Sequence, residues 1–426
     1  MDLIFSVPYL VRIVLSLVSI LVFQKILKRL DLAMVLGIIV LALWTGHSPS
    51  SILSVTADRV ISLDMFFLAF VITGVIWLSS FMSEAGIMKD LVTSLKSRLS
   101  KRAILAALPA VVGLLPMPAG ALFSAPLVDD ADSENSLGPD DKARINYWFR
   151  HVWEFWWPLY PGVLLAVDLA GLPIWMFVGV MAPLFFAAIA SGYVFLLRKT
   201  PNGRPQERGP DDKAFIPLIL PTLTVIAVYI VVMLIAPPVA AFNKYLPMAI
   251  GIVCGVAVIQ MQRPASAAVW KKVIFSKRVV GLVLIIILAR VYGAFIEARL
   301  EDGAFLMEKV RIELDTFGIP AMILVVVIPF ISGLTTGITV GYIGASFPVV
   351  LSLAAGAGRG EFLSTMVLGY ASGYVGMMLS PIHVCLIVTN EYFKTHLGHS
   401  LAGLLRPAGL LFLCAVAYSI FWLWVG

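Results

Sequence analysis

The chain has 426 residues, of which 60% are hydrophobic and only 13% are charged, and its net charge is +6. Soluble domains carry about 25% charged residues and about half apolar ones. A chain this apolar cannot cover a surface that faces water, so the composition excludes an ordinary soluble protein and indicates a membrane protein. The basic residues lie in short loops between apolar runs, which indicates lipid headgroups as their partners and excludes nucleic acid.

Apolar runs of the length that helices need in a bilayer fill most of the chain. Those before a polar, basic linker at 197–213 are 6–24, 32–46, 61–82, 103–128, 149–170 and 173–196. Those after it are 214–236, 241–261, 278–297, 317–352, 363–392 and 401–425. The first run lacks a small-residue cleavage site and is followed by basic residues, so it is predicted to be retained as a span. The pattern predicts an all-α polytopic membrane protein with two halves, 1–196 and 214–426.

Two of the runs, 103–128 and 317–352, are interrupted by several glycine and proline residues. A lipid-facing helix with such breaks would leave backbone groups without hydrogen bonds, at a cost of several kcal/mol each. Broken backbone at membrane depth is tolerated inside protein or beside a polar cavity. Both runs are therefore predicted to be re-entrant hairpins, each entering and leaving by the same face.

The distribution of basic residues tests this topology. If neither hairpin crosses and the N-terminus lies outside, about ten spans remain, and most loop lysines and arginines fall on the inner side. The outer loops then hold Arg59, Lys244, Arg299, Lys309, Arg311 and Arg359. This bias fits the positive-inside rule. We therefore expect a protein of the cell inner membrane with both termini outside and a cytoplasmic linker at 197–213.

The two halves also share short stretches of sequence. A Ser-x-Pro element occurs at 124–126 in the first hairpin and at 346–348 in the second. In the spans that follow, Pro158 matches Pro381 and Asp168 matches Glu391 at one common spacing. Because each half crosses the bilayer an odd number of times, the second half is predicted to be an inverted repeat of the first.

Broken helices at the centre of inverted repeats form the substrate site in many secondary transporters, because their ends present amides or carbonyls to a ligand. The tips of both predicted hairpins are rich in small and hydroxylated residues. Close helix packing is the alternative explanation for any one of them. The candidate substrate-binding residues are Pro118, Ala119, Gly120 and Ser124 in the first hairpin, and Thr335, Thr336, Gly337, Thr339 and Ser346 in the second.

Ionisable residues within apolar runs are costly and are candidates for function. His383 follows the Pro381 break and is a candidate for substrate binding or proton coupling, or else a satisfied core histidine. Arg150 and Glu154 are spaced to pair on one helix face and are candidate coupling residues, or else an interfacial ion pair. Arg290 lies deep in its span and is predicted to be an anion partner in coupling, or else a snorkelling cation.

Three stretches of the sequence are distinctive: Leu115–Pro126, Asn146–Glu154 and Leu379–His383. They resemble an uncharacterised family, the domain of unknown function 401, which is grouped with the ion transporter superfamily. The resemblance implies an elevator mechanism, in which a hairpin-bearing domain slides against a scaffold, and it implies a homodimer. The Ser-Asn-Thr tip motif of the sodium-dicarboxylate branch is absent from both hairpins, which argues against that branch's substrate and coupling ion.

The sequence thus predicts a secondary active transporter of a small organic anion, a carboxylate, coupled to protons or sodium by alternating access. An intramembrane enzyme or a channel is the alternative, but the chain contains no HExxH, GxSxG or Walker motif. No cofactor is expected apart from H⁺ or Na⁺ as coupling ion. Cys254, Cys385 and Cys414 lie in apolar runs and are predicted to be core residues, not metal ligands.

Overall fold

The computed structural model describes residues 7–96, 98–114, 120–132, 136–200, 215–300 and 302–425, and these residues are almost entirely helical. A bridge between Arg299 and Phe305 is their one extended pairing. The helices before the linker are α1 (Tyr9–Leu27), α2 (Leu30–Trp44), α3 (Pro49–Val60), α4 (Leu63–Glu84), α5 (Ile87–Lys96), α6 (Lys101–Gly113), α7 (Gly120–Ala131), α8 (Pro139–His151), α9 (Pro161–Ala170) and α10 (Ile174–Gly192).

The helices after the linker are α11 (Phe215–Ile235), α12 (Pro237–Phe242), α13 (Leu246–Gln262), α14 (Ala267–Ile274), α15 (Lys277–Ile296), α16 (Leu306–Phe317), α17 (Ala321–Thr336), α18 (Thr339–Leu353), α19 (Arg359–Met378), α20 (Val384–Phe393) and α21 (Leu397–Val425). A 3₁₀ turn at Val152–Phe155 follows α8, and a π turn at Tyr193–Leu197 extends α10. The predicted all-α class is confirmed for the described residues.

Within the described ranges, six helical segments are long and apolar enough to cross a membrane, and a seventh is counted if the bent pair α16 and α17 is one span. These two helices meet at 113°. Five more apolar helices have only 10–17 residues, and two of them, Pro161–Ala170 and Val384–Phe393, are short because breaks near Pro158 and Pro381 divide two of the predicted spans. The multi-pass architecture is therefore confirmed, and the count of about ten crossings stays a prediction.

Large apolar side chains cover the outside of the helix bundle. Trp424 is 86% exposed, Met261 is 83% exposed and Leu234 is 75% exposed. An apolar surface this extensive needs lipid as its solvent, which agrees with the composition.

Each predicted hairpin contains two helices that pack against each other, α6 with α7 and α17 with α18. The second pair turns at Gly337, which has a φ of +62°, a conformation that glycine adopts without steric cost. The tip of the first pair, residues 115–119, lies outside the described residues, and so do the candidate site residues Pro118 and Ala119.

Glycines let each hairpin approach the helix that follows it. A Cβ atom added to Gly113 would lie 2.0 Å from the Arg150 carbonyl oxygen in α8, and one added to Gly333 would lie 2.1 Å from the Gly373 carbonyl oxygen in α19. Both contacts are far shorter than van der Waals distance and both involve backbone, which cannot rotate away. In both hairpins, a glycine therefore allows close packing against the backbone of the following helix.

A buried ionic cluster closes the base of the first hairpin. The fully buried Asp132 lies 3.0 Å from Lys101 Nζ at the start of α6 and 3.4 Å from Lys142 Nζ in α8. It also accepts hydrogen bonds from the Ser136 hydroxyl and the Leu137 N–H. Burial alone would raise the pKa of Asp132, but these hydrogen bonds and Lys101 outweigh it, so the pKa lies well below its usual range.

We predict that Asp132→Ala lowers the free energy of unfolding by about 3 kcal/mol, because it leaves two lysines without their buried partner. The wild-type contribution is present at neutral pH and is lost only as the pH falls below the usual pKa of aspartate. Thermal unfolding of the purified protein measures the loss. Asp58→Ala, at an exposed site in α3, is the control, and equal melting temperatures for the two variants would contradict the prediction.

We predict that Gly113→Ala and Gly333→Ala each destabilise the fold by at least about 1–3 kcal/mol, the usual cost of overpacking. Gly409→Ala in α21 is the matched control, because a Cβ there meets no atom within 4 Å. Melting temperatures in one detergent give the comparison. A Gly333→Ala variant as stable as Gly409→Ala would show that the backbone contact is not tight.

Candidate functional site

A short irregular segment, residues 152–160, joins α8 to α9 and runs between the two hairpins. The helix α8 ends at His151, and a 3₁₀ turn carries the chain to Phe155. Arg150 and Glu154 were expected on one helical face, and Arg150 does act electrostatically on the Glu154 carboxylate. Glu154 itself lies in the 3₁₀ turn, which has three residues per turn, and not in α8. The two side chains therefore reach different hairpins.

The guanidinium of Arg150 lies against the first hairpin. A Cβ on Gly120, the first residue of α7, would lie 2.6 Å from Arg150 Nη2. Arg150 is 4% exposed. The positive end of a helix and a buried guanidinium thus face one another, an arrangement that a negative charge between or beside them would stabilise.

The carboxylate of Glu154 lies against the second hairpin. It accepts a hydrogen bond from the Thr339 hydroxyl, at the first residue of α18. Thr339 Oγ1 also lies 3.2 Å from Met377 Sδ. Glu154 is 7% exposed, so the groups that can stabilise a charge on it are the Arg150 guanidinium, which acts on it electrostatically, the Thr339 hydroxyl and the nearby N-terminus of α18 rather than water.

Two buried histidines meet beside these groups. The Nε2 atoms of His151 and His383 are 3.1 Å apart. His151 Nδ1 lies 2.6 Å from the Tyr147 carbonyl, which can only accept, so Nδ1 carries the proton. His151 Nε2 is 4.0 Å from Glu154 Oε1. His383, which the sequence analysis gave as a candidate for substrate binding or proton coupling, therefore lies in one cluster with His151 and Glu154.

Cys385 joins this cluster. Its Sγ, one ring nitrogen of His151 and one ring nitrogen of His383 all lie within 4.8 Å of one another. Among the described residues this is the one group of three or more His, Cys, Asp and Glu side chains that could hold a metal ion. The sequence had assigned Cys385 to the core and His151 to no role, and the His-x-Cys spacing at 383–385 is the signal that could have suggested the pair.

The remaining hairpin candidates are placed as follows. The hydroxyls of Thr335, Thr336 and Ser346 donate to carbonyls of their own helices. Gly337 packs beside His383, since a Cβ atom added to this glycine would lie 3.1 Å from the His383 backbone. The fully buried Ser124 hydroxyl has no hydrogen-bond partner among the described residues. Ser124 is thus the one of these hydroxyls that is left to meet a ligand.

Arg290 is placed in a different environment. Its Nε lies 3.1 Å from Asp168 Oδ2, and Asp168 also contacts Lys244 at 3.1 Å and accepts a hydrogen bond from the Tyr245 hydroxyl. The Arg290 charge is therefore compensated by a buried carboxylate. The structure does not bring Arg290 to the cluster of His151, Glu154 and His383.

Comparison with known proteins gives three results. No curated protein matches the chain. Among solved structures, the YdaH transporter of Alcanivorax borkumensis is similar, with 13% sequence identity, a TM-score of 0.48 and 88% of each chain covered. A family model described as "Protein of unknown function (DUF401)" matches residues 11–421, nearly the whole chain. The resemblance seen in the sequence is therefore confirmed, and this chain is a member of the DUF401 family.

Proposed function

We propose that this protein is a secondary active transporter that carries a small organic anion, a carboxylate, across the cell inner membrane by alternating access. One observation carries the proposal. The buried segment 150–154 places a guanidinium on one hairpin and a carboxylate on the other. A site built from two broken elements and buried charges is the arrangement that carriers use to hold an ion away from water.

Reciprocal contacts support an origin in two inverted repeats. The Tyr147 hydroxyl donates to the Met378 carbonyl at 3.2 Å and lies 3.4 Å from the Met377 carbonyl. Tyr370, its counterpart in the second half, donates to the carbonyl of Glu154, the counterpart of Met377. Tyr147 therefore contacts Met377, and the counterpart of Tyr147 contacts the counterpart of Met377. Such reciprocal contacts are the pattern expected when two units are related by a two-fold axis.

The proposed repeats are 1–196 and 214–426, joined by the cytoplasmic linker 197–213. They contain the re-entrant hairpins 103–128 and 317–352, and together they cross the membrane about ten times with both termini outside. The basic loops on the inner side support this orientation.

The proposed substrate class follows from charge. Arg150 and the N-terminus of α7 are two positive features at one place, and a carboxylate is the small anion whose planar oxygens suit a guanidinium fork. The Ser124 hydroxyl, buried in the same hairpin, supplies a further polar contact. We therefore assign Arg150, Gly120 and Ser124 to the anion.

The proposed coupling groups are Glu154, His151 and His383. A carboxylate and two imidazoles in contact can accept, hold and pass a proton. Glu154 contacts the second hairpin through Thr339, so its protonation would change the strength of a contact between the two halves. A sodium-coupled carrier is the alternative, and it predicts a different response of the variant below.

The proposed movement uses the second hairpin. All of α18 is buried, and it contacts its neighbours through small residues: Gly344 approaches Ala289 in α15, and Gly162 approaches Thr339. Small residues allow helices to lie close together in membranes without interlocking side chains. An elevator-like displacement of the hairpin-bearing helices along α15 is the mechanism that this packing supports.

We predict that a screen of small carboxylates raises the melting temperature of the purified wild-type protein, because a ligand of the folded state stabilises it by about 2.7 kcal/mol at 100 times its Kd. Arg150→Lys should lose this stabilisation. Arg12→Lys is the matched control, since Arg12 is also buried but donates to the Val7 and Trp44 carbonyls. No stabilisation by any carboxylate, or equal stabilisation of both variants, would contradict the assigned site.

We predict that Glu154→Gln, reconstituted in vesicles with the carboxylate found in that screen, retains exchange of labelled for unlabelled substrate but loses accumulation driven by a pH gradient. Glutamine keeps the shape and the Thr339 contact but cannot release a proton. Loss of exchange and accumulation together would assign Glu154 to binding rather than coupling. Accumulation that follows a sodium gradient and is unaffected by the variant would identify sodium as the coupling ion.

A further inference from the structure

We propose that His151, His383 and Cys385 bind a thiophilic transition-metal ion, Zn²⁺ or Cu⁺. The inference rests on the geometry of three side chains. It shares His151 and His383 with the proposed coupling groups, so a bound metal ion would take the place of the proton between these two rings. The cluster joins the end of α8 to the start of α20, the two elements that follow the two hairpins.

The separation of the two imidazoles is the first argument. Two nitrogens bound to one tetrahedral Zn²⁺ at about 2.0–2.1 Å each lie about 3.3 Å apart. The Nε2 atoms of His151 and His383 are 3.1 Å apart. A metal ion would therefore need only a small outward displacement of each ring.

The hydrogen bonding of the rings is the second argument. His151 Nδ1 donates to the Tyr147 carbonyl, so its Nε2 lone pair faces His383. Such a bond to a backbone carbonyl is the usual way in which a metal-binding histidine is oriented. His383 Nδ1 has no hydrogen-bond partner among the described residues, and its Nε2 lies against the His151 Nε2 lone pair. A metal ion bound to both Nε2 atoms would replace the hydrogen bond between the two rings.

Charge and ligand type decide the class of ion. A thiolate with two imidazoles selects soft or borderline ions over Mg²⁺ or Ca²⁺. The Cys385 thiolate and the Glu154 carboxylate, 4.0 Å from His151 Nε2, would offset the two charges of Zn²⁺. Arg150 acts electrostatically on both histidines, and its positive charge favours the singly charged Cu⁺ over Zn²⁺ at this place. Because the site is buried, a net charge there would be costly, so an ion whose charge is balanced by its neighbours is favoured.

The test is a Co²⁺ titration of the full-length protein that carries His396→Ala and His399→Ala, because those two histidines form a second ring pair. We expect a sulfur-to-cobalt charge-transfer band that Zn²⁺ removes at one equivalent. Cys385→Ser should abolish the band, whereas Cys254→Ser and Cys414→Ser should leave it unchanged. His383→Ala should weaken Co²⁺ binding by at least about tenfold, the smallest loss usual for an altered metal site.

A second measurement needs no substitution in the site. Zn²⁺, or Cu⁺ under anaerobic conditions, should protect Cys385 of the wild-type protein from a maleimide, with Cys254 and Cys414 as internal controls read by mass spectrometry. Absence of the cobalt band together with unprotected Cys385 would overturn the proposal and leave the histidines sharing only a proton. A band that persists in Cys385→Ser would overturn it as well.

Discussion

The constraint on which the rest of the site depends is the burial of charge in the segment 150–154. Arg150 and Glu154 are both more than nine-tenths buried in a chain whose surface is apolar. A buried charge without compensation costs far more than one hydrogen bond provides. Part of that compensation comes from the pair itself, because Arg150 acts electrostatically on Glu154, and Thr339 at the N-terminus of α18 donates to the Glu154 carboxylate. Arg150 also lies against Gly120 of the first hairpin, where the positive helix end adds no compensation. Because α8 ends at His151, the short segment 150–154 can contact both hairpins.

The broken helices and the aromatic shell are consequences of the same constraint. Backbone groups freed at the 3₁₀ turn need partners at membrane depth. Tyrosine hydroxyls fill this role: Tyr370 donates to the Glu154 carbonyl, and Tyr374 donates to the His151 carbonyl at 3.2 Å. In the same way, Tyr160 donates at 2.5 Å to the carbonyl of Gly113, where α6 ends. Because tyrosine carries a polar group at the end of an apolar ring, it satisfies a backbone carbonyl without bringing water into the core.

The sequence predicted the helical class, which is confirmed, and it predicted breaks in the two runs where the structure has helix pairs; the re-entrant course of these pairs and the site residues stay predictions. Glycine and proline within apolar runs were sufficient for this, because broken backbone is confined to sheltered places. The pairing of Arg290 with Asp168 could not be predicted, since Asp168 was placed near a span end by its position in an apolar run. The cluster of His151 with Cys385 was also missed. The two residues belong to different halves, and only the tertiary fold decides that α8 and α20 meet.

The ion pair between Asp168 and Arg290 bears on the proposed movement. Asp168 lies at the end of α9, which packs with the second hairpin, whereas Arg290 belongs to α15. Glu391, which matches Asp168 in the second half, is exposed. The proposed inverted repeats need not occupy equivalent environments at one moment. In alternating access, one half adopts the arrangement that the other adopts in the opposite state. Under the proposed mechanism, a buried carboxylate paired with a cation in one half and an exposed carboxylate in the other is the asymmetry expected at one end of the transport cycle.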